Sequence, residues 1–436
     1  MSSPYIPNTA ADRRAILDAT GAKSVEELFA DIPQAYRNPE LRMPPPLSEA
    51  ELKRELAALA RRNADLGEYA CFLGAGAYHH FIPSVVPHII SRGEFATSYT
   101  PYQPEVSQGT LQAMYEFQSL VCQLTGMDVA NGGMYDGATA LAEAALMACR
   151  ITSRNVIAYT NALHPRYLDV LRTYLESQGF TLVITSGASA LPPDTAAVIV
   201  QSPNFYGCVE DWETAAAVAH RARALLIAVF DAIALGLFRP PGDFAADIAV
   251  GEGQPLGVAP SFGGPYVGLF AARMQHVRQM PGRLAGRTTD TQGREGFVLT
   301  LQTREQHIRR ERATSNICTS ETLVAIATAA YLAAMGRRGL RRIAELCYHK
   351  AHYAAERIRQ LPGYALAFQD AFFKEFVVRC PAPPRLINQR LFEQGIIGGL
   401  DVSDRIPNGM LLCVTEMNTR QEIDRLVDVL RTAGGR

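Results

Sequence analysis

Asp247 to Pro265 has the sequence DIAVGEGQPLGVAPSFGGP, and this stretch decides the class of fold. A short apolar segment, Ile248 to Val250, runs into a polar turn rich in glycine, and a second apolar run starts at Tyr266. Two buried strands joined by a long loop of glycine and proline are typical of an α/β protein, which presents such loops at the edge of its sheet. We therefore predict a strand on each side of this loop.

Loops of this kind usually carry a reactive side chain. This one carries Glu252, Gln254 and Ser261 and has no lysine, histidine or cysteine. Lysine is scarce in the whole chain, since lysine and arginine together number 42 and arginine supplies nearly all of them. The lysines are Lys23, Lys53, Lys350 and Lys374, all of them far from the loop in sequence. The loop therefore has no lysine within it or close to it in sequence.

The rest of the central region alternates between apolar runs and helical patterns. Because the runs are apolar throughout, they predict a mostly parallel sheet that helices cover on both faces. Ligands of such sheets bind at the carboxyl ends of the strands, where Asp231 and the stretch from Gln201 to Asn204 lie. The predicted strands are Val156 to Tyr159, Leu182 to Ile184, Val198 to Val200 and Leu225 to Phe230.

Changes in pattern divide the chain into three predicted parts. Residues 1–65 form a helical arm, in which Ser48 caps a helix and Glu51 completes a capping box. Residues 66–315 form the large α/β domain. Residues 316–436 form a small C-terminal α+β domain with strands at Phe376 to Arg379 and Met410 to Val414.

Composition excludes several classes of function. The chain is 48% apolar and 19% charged with a net charge of −1, so neither nucleic acid nor a membrane surface is an expected partner. The eight cysteines show no metal-ligand spacing, which favours reduced thiols in a soluble, cytoplasmic protein. Adjacent histidines on a strand face opposite sides, so His79 and His80 predict no metal site.

Ser98 to Gly109, with the sequence SYTPYQPEVSQG, is an unusual loop. Its two prolines fix an extended path, and Tyr99 and Tyr102 are held on that path. Polar aromatic side chains on a rigid loop suit contact with a planar or small polar ligand. A structural role for the two tyrosines, as aromatic side chains in a buried loop, stays equally open.

Two acidic residues bear on cofactor binding. Asp231 follows a buried strand, where a carboxylate can hold the protonated ring nitrogen of pyridoxal phosphate (PLP) or can simply shape a turn. The stretch from Asn131 to Thr139 leads into a helix whose first amides would suit a phosphate. However, Asp136 lies at the predicted N-cap, where its charge would satisfy those amides and repel a phosphate.

Taken together, these stretches closely resemble the P-protein of the glycine cleavage system, a PLP-dependent glycine decarboxylase. The resemblance covers essentially the whole chain and corresponds to the N-terminal half, which some bacteria make as a separate alpha subunit. It rests on FLGAG from Phe72, TPYQPEVSQG from Thr100, YDGATA from Tyr135, QSPNF from Gln201, DIAVGEGQ from Asp247, FGGP from Phe262 and ATSNICT from Ala313.

The resemblance implies a PLP-dependent transferase of fold type I. Such a protein has a large domain with a seven-stranded, mostly parallel sheet, a small C-terminal α+β domain, and an active site at a subunit interface. The catalytic half of the family carries a His-Lys pair that aligns with Gln254 and Pro255 here. Proline cannot form a Schiff base, so the resemblance implies that this chain lacks the catalytic lysine. Asp231, Gln254 and Pro255 are then remnants of a cofactor site.

The resemblance also implies the function. The chain would be subunit 1 of glycine dehydrogenase (decarboxylating), an oxidoreductase of glycine catabolism, with PLP bound by a beta subunit in an α2β2 complex. The complex would decarboxylate glycine and transfer the aminomethyl group to the lipoyl arm of the H-protein. Residues expected to form one wall of the partner's active site are Tyr99, Tyr102, Gln103, Ser107, Gln108, Thr314, Ser315 and Asn316.

Two alternatives stay open. The chain could be a noncatalytic scaffold that only stabilises its partner. It could also be a complete PLP aminotransferase-like enzyme that acts alone, which would need a suitably placed lysine.

Overall fold

The computed structural model describes residues 5–37, 39–97, 99–186, 191–318 and 320–433. Ser98 and Thr319, which belong to two of the quoted motifs, lie outside the described residues. The chain divides into two compact units, Met1–Ala64 and Asp65–Arg436, called here the N-terminal unit and the main unit. A further division of the main unit near residue 315 stays a prediction.

The N-terminal unit contains two capped helices, α1 (Ala10–Thr20) and α2 (Glu49–Ala60). At the start of α2, the Glu51 carboxylate accepts the Ser48 N–H at 2.9 Å and the Ser48 hydroxyl accepts the Glu51 N–H at 3.4 Å, which confirms the predicted capping box. Neither helix contains a buried residue.

The main unit holds the remaining helices. The longest of them, α10, passes through a non-helical residue at Gly336, which has φ 58° and lets the chain bend there. In the part of the chain that the structure describes, none of the helices has the length and hydropathy of a membrane span. The helices are α3 (Val85–Ile90), α4 (Gly93–Ala96), α5 (Gln108–Thr125), α6 (Gly137–Thr152), α7 (Pro165–Leu175), α8 (Trp212–Arg221), α9 (Gln306–Arg309), α10 (Thr322–Arg359), α11 (Pro384–Glu393) and α12 (Arg420–Ala433).

The strands of the main unit form four sheets in the residues that the structure describes. They are β1 (Ala70–Cys71), β2 (Val129–Ala130), β3 (Val156–Thr160), β4 (Thr181–Thr185), β5 (Thr195–Ser202), β6 (Leu225–Asp231), β7 (Ile248–Glu252), β8 (Gly268–Ala272), β9 (Leu284–Thr289), β10 (Glu295–Thr300), β11 (Ala365–Leu366), β12 (Glu375–Arg379), β13 (Ile396–Ile397), β14 (Leu400–Asp401) and β15 (Gly409–Cys413).

The largest sheet has seven strands in the order β2-β8-β7-β6-β5-β3-β4. Its five strands from β7 to β4 are parallel to their neighbours, and β8 and β2 pair antiparallel at one edge. The predicted strands on each side of the opening loop are β7 and β8. The prediction of a seven-stranded, mostly parallel sheet is therefore confirmed.

Side chains alternate between the two faces of this sheet, and both faces are buried. In β6, Leu226 and Ala228 belong to one apolar cluster, whereas Ile227 and Val229 belong to another. This alternation with apolar residues on both sides explains why the strands read as continuous apolar runs.

The C-terminal part of the main unit carries a four-stranded antiparallel sheet in the order β11-β12-β15-β14. The loop after β5 joins it to the large sheet: Gly207 accepts the Phe373 N–H at 3.3 Å, and the Val209 N–H donates to Ala371 at 2.8 Å. Gly207 has φ 89°, and a Cβ atom on it would lie 1.9 Å from the main-chain oxygen of Glu375. The joint therefore requires a glycine at this position.

We predict that Gly207→Ala lowers the free energy of unfolding by roughly 3 kcal/mol or more, because it adds a backbone clash to the strain of a left-handed conformation. Gly179→Ala is the matched control, since Gly179 has φ 83° and open space around its Cβ position. It should cost only about 1 kcal/mol. Urea unfolding measures both, and equal losses would contradict the close approach.

Candidate functional site

A small cavity lies at the carboxyl ends of β5, β6 and β7. Three predicted residues line this cavity: Asp231 at the end of β6, Glu252 at the end of β7 and Gln201 in β5. The cavity measures about 40 Å³, which is room for a few water molecules. Its other lining residues include Gly76, Tyr78, His164, Tyr167, Pro255, Lys374 and Glu375.

The Lys374 ammonium fills one side of this cavity. Its Nζ lies 2.7 Å from Asp231 Oδ2, 3.2 Å from His80 Nε2 and 3.6 Å from the centroid of the Tyr78 ring. An ammonium has three N–H donors, and these three neighbours supply a carboxylate, an imidazole nitrogen and an aromatic face. The residue is only 1% exposed, so its charge is balanced from inside the protein.

Asp231 and Lys374 fix each other's charge. Burial acts to raise the pKa of Asp231, but the Lys374 ammonium and the hydrogen bonds to the carboxylate hold it below its ordinary value. Burial likewise acts to lower the pKa of Lys374, and the Asp231 carboxylate holds it above its ordinary value. Both groups are therefore charged at neutral pH.

His80 extends the network away from the cavity. Its Nδ1 lies 2.7 Å from Glu416 Oε2, and the Cys347 thiol donates to the same oxygen at 3.3 Å. Burial, followed by the neighbouring Lys374 charge, lowers the pKa of His80. The ring is thus neutral and donates its Nδ1–H to Glu416, whose pKa falls to about 2 despite its burial.

His80, Cys347 and Glu416 lie close enough together to hold a metal ion. However, the Lys374 ammonium is 3.2 Å from the second ring nitrogen of His80, and a cation there would be repelled. The geometry is that of a hydrogen-bonded group rather than a metal centre.

Carboxyl groups occupy the start of α6, on another side of the cavity. Asp136 caps the helix, and its carboxylate accepts the Thr139 N–H at 2.8 Å, as predicted. Glu252 accepts the Gly137 N–H at 2.9 Å and, with its other oxygen, the Gln254 N–H at 2.9 Å. Burial raises the pKa of Glu252 to about 7. Two of the first three amides of the helix, those of Gly137 and Thr139, are therefore already bonded to carboxyl groups, which disfavours a phosphate there.

Gln254 and Pro255 follow directly and are both buried. The Gln254 amide accepts the Tyr78 N–H at 2.9 Å and donates to the carbonyls of Tyr78 at 2.9 Å and Val258 at 2.6 Å. Its polar atoms are thus used to hold two loops together, while Pro255 lines the cavity.

The FLGAG turn wraps around Glu375. A Cβ on Gly74 would lie 2.5 Å from Glu375 Oε1, which accepts the Ala75 N–H at 2.6 Å. The Tyr78 hydroxyl donates to the other oxygen at 2.8 Å. Burial raises the pKa of Glu375 to about 7. Gly74 therefore allows close approach of the backbone to a carboxyl group.

The loop that carries Tyr99 and Tyr102, called here the tyrosine loop, has both tyrosines on the surface. Tyr99 is 72% and Tyr102 is 44% exposed. The Tyr102 hydroxyl accepts a hydrogen bond from Arg283 at 2.9 Å, and its ring packs edge-on against His307 at 5.2 Å. Arg283 is itself buried and lies 3.4 Å from Glu305. The loop is thus anchored from behind by a charged pair that sequence reasoning missed.

Gln103 and Ser107 lie at the turns that enter α5, and Gln103 is exposed. Gln108 has a structural contact: its amide accepts the Phe297 N–H and donates to the Phe297 carbonyl, each at 2.8 Å. It pins the start of α5 to β10.

Thr314 and Ser315 lie near the same charged pair, and Asn316 follows them in the chain. Arg283 donates to the carbonyl of Cys318, and Arg283, Thr314 and Ser315 line one small cavity of about 10 Å³. The Ser315 hydroxyl donates to Glu143 at 2.7 Å, and Asn316 is exposed. Arg283 therefore connects the two stretches that the sequence proposed separately.

The family model of the glycine cleavage system P-protein matches residues 3–430. The chain belongs to this P-protein family. A relative from Thermomicrobium roseum, named probable glycine dehydrogenase (decarboxylating) subunit 1, is 53% identical over 98% of this chain and 99% of its own length. The predicted family is confirmed.

Solved structures are similar to this chain in fold. A crystal structure of glycine decarboxylase (P-protein) of the glycine cleavage system, in inhibitor-bound form, is 43% identical, covers 99% of this chain and 100% of its own, and has a TM-score of 0.94. A mutant of C-DES with glycine covalently linked to its PLP cofactor is 16% identical, covers 84% of this chain and 97% of its own, and has a TM-score of 0.60, which shows the fold alone. The predicted PLP-dependent transferase fold is confirmed.

Distance along the sequence did not indicate how close one lysine lies to the opening loop in this member of the P-protein family. Lys374 is far from the opening loop in sequence, but it lines the same cavity as Pro255. The turn before β12 brings it there, and no local pattern predicts contacts across more than 100 residues. The sequence did contain a sign that Lys374 is buried, since Lys374 and Glu375 interrupt the apolar stretch from Ala371 to Val378.

We predict that the Glu252 carboxyl makes the unfolding free energy fall as pH rises. Its folded pKa of about 7 is above the ordinary 4.5, so the folded state holds a proton that the unfolded state has lost between these values. The loss of unfolding free energy begins near pH 4.5, is complete above about pH 7 and amounts to on the order of 3 kcal/mol. Glu252→Gln should therefore gain stability relative to the unaltered chain between pH 5 and pH 8.

Denaturant unfolding at both pH values measures this difference. Glu356→Gln is the control, because the exposed Glu356 carboxylate has a lowered pKa and stays ionised in both states over this range. A stability difference for Glu252→Gln that does not change with pH would contradict the prediction.

Proposed function

We propose that this chain is subunit 1 of a two-subunit glycine dehydrogenase (decarboxylating). Together with a second, beta subunit it decarboxylates glycine and passes the aminomethyl group to the lipoyl arm of an H-protein. The family match and the printed names of full-length relatives support this function. The α2β2 stoichiometry and the cytoplasmic location stay predictions.

We further propose that the partner subunit binds the PLP. The residues of this chain do not fit the cofactor, which is the observation that carries the proposal. Pro255 offers no amine where the family's lysine aligns, and the Gly137 and Thr139 amides at the start of α6 are taken by Glu252 and Asp136. Lys374 is protonated and held by Asp231, whereas a Schiff base requires a neutral amine. A cavity of about 40 Å³ is also far below the ~300 Å³ of ordinary ligand pockets.

PLP supplies an electron sink for decarboxylation when it is bound in the partner. This chain contributes one wall of that active site through its exposed tyrosine loop and the stretch around Thr314, Ser315 and Asn316. Arg283 and Gln108 support this role, because they hold the loop rigidly against the body of the main unit. A preorganised wall orients the substrate and excludes water.

The two alternatives predict different behaviour. A noncatalytic scaffold stabilises the partner but does not need its surface tyrosines. A stand-alone PLP enzyme needs a free lysine in its own cavity, and the bonding of Lys374 to Asp231 and His80 argues against it.

Co-expression with the candidate second subunit tests the assignment. We expect the mixture, and neither chain alone, to decarboxylate glycine. The assay measures exchange of labelled CO₂ in the presence of lipoylated H-protein. This chain alone, mixed with PLP and reduced with borohydride, should gain no pyridoxyl label at Lys374. Activity of this chain alone, or a label at that lysine, would overturn the proposal.

Tyr102→Phe tests the wall in the intact complex. The substitution keeps the ring against His307 and removes the hydroxyl that accepts from Arg283, so turnover should fall about 10-fold with unchanged assembly. Tyr353→Phe is the control, because its hydroxyl donates to Asp424 between α10 and α12. Equal turnover of both variants would leave the scaffold as the better explanation.

A further inference from the structure

The Asp231 carboxylate is oriented by hydrogen bonds within its own turn. Its Oδ1 accepts the N–H groups of Ile233 at 2.9 Å and Ala234 at 3.0 Å, which leaves Oδ2 facing the cavity. Lys374 Nζ meets Oδ2 at 2.7 Å. The carboxylate is thus positioned by its own turn, independently of the lysine.

The lysine comes from another part of the fold. Lys374 lies in the turn before β12, on the C-terminal sheet, whereas Asp231 ends a strand of the large sheet. Phe373 and Lys374 are both almost completely buried, and Phe373 belongs to an apolar cluster that includes residues of the large sheet. Glu252 reaches the cavity from a third element, β7, and covers the amide of Gly137.

In PLP enzymes an acidic residue pairs with the protonated ring nitrogen, and helix N-termini bind phosphate groups. Both recognition features are present here, and both are already satisfied. The cation beside Asp231 is the Lys374 ammonium, and the group on the first amide of α6, that of Gly137, is the Glu252 carboxyl.

We propose that Lys374 and Glu252 are internal replacements for the two charged ends of a cofactor, so that this chain keeps a cofactor-type cavity folded without a cofactor. This inference rests on the proposed function, which assigns PLP to the partner. It adds that the cavity is a site for an organic ammonium, filled by the chain itself. Without Lys374, Asp231 would be a buried carboxylate with no counter-ion, and an external ammonium of the right size would bind there.

The test uses the full chain with Lys374→Ala. Alanine keeps Cβ, so n-propylammonium supplies the missing methylenes and the charge. We expect the Tm to fall by on the order of 5–10 °C, because a buried pair is broken. Saturating n-propylammonium chloride should then raise the Tm of this variant by roughly 3 °C or more. Equal concentrations of n-propanol or of sodium chloride should not.

Lys350→Ala is the matched control. Lys350 Nζ donates to the main-chain carbonyls of Glu416 and Asn418, each at 2.6 Å, so its removal leaves no carboxylate behind. The Tm of this variant should respond to n-propylammonium no more than that of the unaltered chain. A Lys374→Ala variant that is as stable as the unaltered chain, or that gains nothing from the ammonium, would overturn the inference.

A double variant keeps the test decisive if Lys374→Ala does not fold. Asp231→Asn with Lys374→Met removes both charges, and it should have a higher Tm than Lys374→Met alone. A double variant that is less stable than both single variants would contradict the pairing. These readouts are independent of turnover, so failure of this inference and failure of the proposed function are distinguishable.

Discussion

The pairing of Lys374 with Asp231 is the interaction on which the centre of the main unit depends. Asp231 ends a strand of the seven-stranded sheet, and its largely buried carboxylate faces a small cavity. A buried charge without a partner is costly, since removing one member of such a pair typically destabilises a protein by about 3–5 kcal/mol. The negative charge of Asp231 is therefore balanced by Lys374, which lies in the turn before β12 of the C-terminal sheet. His80 and Glu416 continue the same network toward α10 and the end of β15.

This arrangement explains how a family with a PLP-dependent fold can contain a chain whose own cavity is filled by side chains. The polar groups that such a cavity retains, Asp231 and the first amides of α6, still need partners. Lys374 and Glu252 provide them from within the chain. We propose that the cavity then supports the fold, while the exposed surface around Tyr99 and Tyr102 serves the partner's active site.

The sequence predicted those features that depend on local pattern. Apolar runs and helical spacing identified the strands of the sheet, and Asp136 and Ser48 were recognisable caps because capping acts within three residues. The contacts that give the cavity its chemistry lie far apart in sequence. Lys374 meets Asp231, Glu375 meets Ala75, and Arg283 meets Tyr102 only after the sheets have packed. The roles of Gln103, Ser107 and Asn316 depend on a partner surface and stay predictions.

The scarcity of lysine makes the central claim directly measurable. With ¹⁵N-labelled lysine, the Nζ spectrum of the full chain contains signals from only four side chains, Lys23, Lys53, Lys350 and Lys374. The account predicts that Lys374, identified by its loss in Lys374→Met, gives an ammonium signal whose protons exchange slowly with water and that stays protonated from pH 5 to pH 9. A Lys374 amine that exchanges rapidly, or that loses its proton within this range, would contradict a buried ammonium paired with Asp231.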